Sequence, residues 1–152
     1  MSIERLEQTG WYKVEPTSPQ EITALFSIVD RDQRDAAVAE VSDDLRFHAA
    51  YNGLLTLANI ALRANGYRAP NQMGHQRVIE SLEYTLATET EEGCERWVRK
   101  IKSHSRKRNA ASYDYAGGVS PQDLEQAIRD LPDLRARVER YLREVHPELF
   151  TA

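Results

Sequence analysis

Two near-identical start signals, Ser18-Pro-Gln-Glu21 and Ser120-Pro-Gln-Asp123, bracket a hundred residues of largely helical spacing. A serine before proline reads as an N-cap with proline at the first helical position, where the missing N–H costs nothing. Glutamate three residues after Ser18 completes the pattern of a capping box. Asp123 stands in that place in the second signal, although it is shorter than the usual Glu or Gln. With only seven glycines and six prolines in 152 residues, long segments contain neither. That favours helices over an all-β fold.

The spacing supports this. Ile22, Leu25, Phe26 and Val29 recur at i, i+3, i+4, i+7 from Pro19 onward, and helical spacing continues to about Glu40 as one helix or two. Ser42 followed by Asp43 and Asp44 reads as a fresh cap with acidic residues in the first turn. From Asp43 to Asn65, apolar residues occur nearly all round the helix, which predicts packing on several sides. Asn65-Gly66 is a stop. A further helix is expected over Gln72 to Thr88, with Val78, Ile79, Leu82 and Leu86 as its stripe. Thr88 or Thr90 caps the next helix, and Gly117-Gly118 ends it. A last helix runs from Ser120 to Pro147, with Pro132 expected to kink or split it. Ser2 to Thr9 reads as a short helix capped by Ser2 and ended by Gly10. No strand-like alternation and no internal repeat stand out. The expected fold is therefore all-α: an up-down bundle of four to five long helices (19–152) preceded by a short N-terminal helical segment and connector (1–18), one domain overall.

Several function classes drop out. The chain has one cysteine, Cys94, so no intramolecular disulfide forms, which suits a reducing cytoplasm. No Cys/His cluster has metal-ligand spacing, and no phosphate-loop glycine pattern is present. The most apolar run, Ala49 to Leu62, is too short for a membrane span, and the N-terminus lacks a signal-peptide core. The expectation is a cytoplasmic protein with no metal, no cofactor and no membrane contact.

Charge singles out one segment. Cys94 to Tyr115 holds seven Lys or Arg against Glu95 and Asp114, about +5, while the whole chain is −4. On a helix, Trp97, Ile101, His104 and Arg108 share a face, whose apolar top should dock on the bundle and whose lower end turns polar. Burying His and Arg unpaired is costly, so that end either leaves the core or lines a cleft. The remaining bases, Arg96, Arg99, Lys100, Lys102, Arg106 and Lys107, fall on other faces and read mainly as solvated. Asn109, Tyr113 and Tyr115 follow. A guanidinium suits phosphate and a phenol ring can stack on a base. His48 and His75 read as hydrogen-bonded structural histidines, and His146 as a residue favoured at a helix C-terminus.

The series Arg108-Asn109, then Tyr113 and Tyr115, resembles the signature helix of HEPN domains (higher eukaryotes and prokaryotes nucleotide-binding). Arg46-Phe-His-Ala-Ala-Tyr-Asn52, Gly66-Tyr-Arg68 and Gly74-His75 are also similar to stand-alone bacterial members, over about residues 42 to 146. The resemblance implies a helical bundle, commonly a homodimer, in which two copies of an Arg, four to six residues, His motif face each other. Many members are metal-independent ribonucleases of toxin–antitoxin, phage-defence or CRISPR systems. Here Tyr113 stands where that histidine would be, and the Arg99 to His104 spacing lies out of place. The resemblance thus implies an RNA- or nucleotide-binding bundle with a degenerate nuclease motif. The binding set would be Arg106, Lys107, Arg108, Asn109 and Tyr115. The first alternative is an active endoribonuclease or toxin using catalytic Arg108 with His104 or Tyr113. His104 there is a stand-in proton carrier one turn before Arg108, since imidazole titrates near neutrality. The second alternative is a non-catalytic protein-interaction bundle. An antitoxin is an implied partner. So is a nucleotidyltransferase, in which case Tyr115 is the position open to modification with AMP.

Overall fold

The computed structural model describes residues 3–70, 74–86, 94–109 and 118–150. Within them the chain forms α1 (Glu4–Gln8), β1 (Lys13–Val14), α2 (Pro19–Ala36), α3 (Asp43–Ala64), β2 (Tyr67–Arg68), α4 (Gly74–Thr85), α5 (Glu95–Asn109) and α6 (Pro121–Val145), then a 3-10 turn at Pro147–Leu149. It is an all-α helical bundle, as the spacing predicts.

The caps act where the sequence places them. Ser18 Oγ accepts from the Glu21 amide at 3.1 Å, and Ser42 Oγ from the Leu45 amide at 3.3 Å. At Ser120 the box closes fully: the Asp123 amide donates to Ser120 Oγ at 3.1 Å, and the Ser120 amide donates to Asp123 Oδ2 at 3.3 Å. Glu21 departs from the pattern. Its carboxylate turns away from the Ser18 amide and accepts from Thr17 Oγ1 at 2.6 Å and from Arg63 Nε at 2.9 Å. A buried guanidinium outcompetes a local amide for it, because the charge-assisted bond is the stronger.

α3 is the element the others pack around; α2, α4, α5 and α6 all contact it. Leu54, Leu57, Ala58, Ile60, Ala61 and Leu62 are fully buried. Small residues permit close approach: a Cβ added at Gly53 would lie 2.8 Å from Leu131 Cδ1 on α6. A second, smaller apolar cluster, with Ala36, Phe47, Ala50, Val119, Leu124 and Ala127, closes the end where α2, α3 and α6 meet.

Three expectations change. β1 and β2 form a two-residue antiparallel pair, Lys13 opposite Arg68 and Val14 opposite Tyr67. So short a ladder leaves no alternation to detect. It persists because Arg63 gathers the carbonyls around it, donating to the Glu15, Pro16 and Tyr67 oxygens at 2.9 to 3.1 Å. The N-terminal segment is consequently part of the bundle, with Leu6 and Tyr12 in the main core. α6 is not split at Pro132. One backbone bond is forfeited, while Leu131, Leu134 and Val138 bury on either side and hold the helix in register. α1 begins after Ile3 with no side-chain cap, and Ser2 lies outside the described residues. So do Thr88, Thr90 and Gly117.

Cys94, just before α5, is buried at the α4–α5 end of the core. Burial pushes its thiol pKa up, against a smaller lowering from Arg137. Among the described residues no helix is long and apolar enough to cross a membrane.

Candidate nucleotide-binding cleft

α5 carries two jobs on adjacent stripes. Trp97, Val98, Ile101 and His104 are buried and dock it on the bundle. Lys102, Ser105, Arg106 and Asn109, at i, i+3, i+4, i+7, face the start of α4 instead. Together with Arg108 and with Gly74, His75, Gln76 and Ile79 of α4, they line a cleft of about 590 Å³. The two helices run antiparallel here. Lys102 Nζ lies 3.5 Å from Glu80 Oε1, and at the far end the Arg108 charge acts on His75. The cationic C-terminal turn of α5 thus meets the first turn of α4, whose leading N–H groups are electropositive.

Arg108 is held in place by a ring and an amide. Its guanidinium lies over the Tyr51 ring, 4.9 Å from the centroid, and Nη2 donates to Asn109 Oδ1 at 2.8 Å. Its Nε is buried without a hydrogen-bond partner among the described residues. No carboxylate pairs with Arg106 or Arg108 among those residues. By contrast Lys107 is committed to α6: its Nζ is 2.8 Å from Asp123 Oδ1, and Asp123 is held below the usual carboxylate range chiefly by that bond. Lys107 does not line the cleft. Of the expected binding set, Arg106, Arg108 and Asn109 therefore converge and Lys107 stands apart. Tyr113 and Tyr115 lie outside the described residues.

His104 faces the core. It is 3% exposed, packs edge-on to Phe47, and its Nε2 is 2.8 Å from Asp130 Oδ2. Asp130, itself 1% exposed, also accepts from Lys100 Nζ at 3.1 Å and Gln126 Nε2 at 2.8 Å. The imidazole is occupied by a buried carboxylate and does not line the cleft. The i, i+4 spacing with Arg108 is present, but the long Arg side chain reaches the cleft and the short His side chain stays behind the helix.

His75 is what the sequence reading missed. It reads as a structural histidine, yet it is exposed and makes no hydrogen bond among the described residues. Desolvation by the cleft wall, and secondly the Arg108 charge, hold its pKa below the ordinary imidazole value. No signal in one sequence pairs positions 75 and 108. Lys102 and Ser105 were findable, since their stripe with Arg106 and Asn109 is a regular helical one.

An exposed imidazole, two arginines without carboxylate partners among the described residues and a lysine around one recess make an anion site suited to phosphate. Among the described residues no group of three or more His, Cys, Asp or Glu is placed to hold a metal ion. In comparisons with known protein families, characterised proteins and solved structures, none matches this chain.

Proposed function

We propose that this is a HEPN-like nucleotide- or RNA-binding bundle of the cytoplasm, and that the α4–α5 cleft receives a phosphate of its ligand. The observation that carries the reading is the presence of Arg106 and Arg108 in one recess with no carboxylate opposite either among the described residues, in an otherwise acidic chain. Two arginines that hold the fold together are paired instead: Arg63 with Glu15 and Glu21, Arg135 with Asp30 and Glu139. In the HEPN-like reading two copies associate so that their Arg108 clefts face each other. The setting is a toxin–antitoxin or phage-defence system, with an antitoxin or nucleotidyltransferase as partner.

Arg108→Ala is expected to weaken single-stranded RNA binding about tenfold or more, measured by fluorescence anisotropy. The slope of log affinity against log salt should fall by about 0.7 for each phosphate contact removed. Lys107→Ala should change both much less. Equal affinity in wild type and Arg108→Ala would remove the reading.

His75 favours a second reading, metal-independent RNA cleavage. A neutral imidazole can take the proton of a ribose 2′-OH as its oxygen attacks the adjacent phosphorus. The P–O5′ bond breaks, the leaving oxygen acquires a proton, and Arg108 stabilises the charge that builds on the phosphate. The base form is the active one and its pKa is lowered, so the rate should rise with pH and level off below about pH 6.5. Loss of that rise in His75→Ala, followed on a labelled oligonucleotide, is the expected result. No cleavage dependent on either His75 or Arg108 would leave binding alone.

A further inference from the structure

The cleft does not stop at α4. Gly74 and His75 also line a second recess of about 530 Å³ on the other side, between α2, α3, β2 and the start of α4. Its character differs from that of the Arg108 side. Leu25, Leu55, Val78 and Pro70 give it an apolar floor. Asn59 stands in the wall with a half-buried amide that makes no hydrogen bond among the described residues. Beside it, Thr56 Oγ1 donates to the Asn52 carbonyl at 2.8 Å, which leaves its oxygen able to accept. Arg68 brings a guanidinium plane to the rim, its side chain 43% exposed and its Nε 3.5 Å from Glu15 Oε1.

Resting on the reading of the Arg108 cleft as a phosphate site, we infer that this second recess is a nucleobase subsite, so that one adenine nucleotide lies across the Gly74–His75 ridge. An apolar floor with few polar groups in the wall is how proteins hold planar heterocycles. A guanidinium plane can stack on the base face. An Asn amide offers one donor and one acceptor side by side, the match for the N6/N7 edge of adenine. The ribose would cross at Gly74. There a Cβ meets no atom of the described residues within 4 Å and the backbone is not in the left-handed region. A side chain at position 74 would therefore enter the passage with no strain on the fold.

That last point supplies the test. Wild type, Asn59→Ala, Gly74→Leu and Arg108→Ala are titrated calorimetrically with ribose 5-phosphate, AMP and a 5′-phosphorylated oligoadenylate. AMP should bind wild type about tenfold or more tightly than ribose 5-phosphate. Asn59→Ala should lose that advantage while keeping the wild-type affinity for ribose 5-phosphate; Gly74→Leu, which obstructs the passage of the ribose itself, should weaken both ligands, and AMP more. Arg108→Ala should weaken all three ligands. If the oligoadenylate gains further over AMP with the same Asn59 dependence, the natural ligand is an RNA chain; equal affinity means a free nucleotide. AMP binding no tighter than ribose 5-phosphate, with both still dependent on Arg108, overturns the base subsite and leaves the phosphate site standing. Binding of none of the three through Arg108 removes the phosphate site, and the base subsite with it.

Discussion

Arg63→Met lowers the thermal midpoint by about 10 °C, the combined result of a loss of about 3–5 kcal/mol and the sensitivity of a chain this size. The side chain is 6% exposed and donates along its whole fork: to Glu21 Oε1 at 2.9 Å, to the Glu15 and Tyr67 carbonyls at 2.9 and 3.0 Å, and to the Pro16 carbonyl at 3.1 Å. Methionine fills much of the volume but leaves three carbonyls without that donor and two carboxylates without their counter-charge. Glu15 and Glu21 are both partly in water, so most of the loss falls on the three carbonyls gathered around the buried guanidinium rather than on the ion pairs. Arg63→Lys should recover little, because an ammonium cannot reach four acceptors spread over a planar fork. Calorimetric unfolding measures the loss. Limited proteolysis should show new cleavage between α1 and α2, because Arg63 is what fastens the connector there. An unchanged midpoint in Arg63→Met would show that the β1–β2 pair and the Leu6 contacts suffice without it.

Asp130→Ala has a comparable effect for the opposite reason: here the anion is the hub. Its carboxylate collects His104, Lys100 and Gln126, and its removal leaves a buried imidazole, with a 35% exposed ammonium, facing a cavity in the α5–α6 interface. Breaking such a set from one side costs about 3–5 kcal/mol. Asp130→Asn should cost less, since one oxygen still accepts, but its amide nitrogen now opposes a donor. The pH dependence follows from the same contacts. Burial alone would raise the Asp130 pKa, yet the three hydrogen bonds outweigh it and hold the carboxyl below its ordinary value. Its contribution is therefore fully present above the unfolded-state value of about 4 and is lost as pH falls through the lower folded-state value. Wild type should lose stability steeply below pH 4, and Asp130→Asn should show a shallower loss there. Parallel acid profiles for the two proteins would sink this account.

How much of this was legible beforehand divides by range. Caps, stops and apolar stripes are local, and Ser18, Ser42, Ser120 and the α3 pattern announce themselves within a turn or two of sequence. Pro132 reads locally as a break, but the burial of Leu131 and Leu134 against partners far along the chain overrides it. The site divides the same way. Arg106, Arg108 and Asn109 were visible as one end of a basic helix. His75 was not, because it is brought to Arg108 by the antiparallel packing of α4 on α5, thirty-three residues apart. Asp130 likewise claims His104 across twenty-six residues. Spacing on one helix places two side chains on a face; it does not decide which of them meets a carboxylate from another helix.

The single thiol at Cys94 turns this architecture into its own reporter. Shut away at the end of α5 and kept protonated, it should react with a thiol reagent only when that end of the core opens. Its labelling rate is then a local clock, read without any engineered probe. A ligand that bridges α4 and α5 should slow it, and one that binds elsewhere on the surface should leave it running.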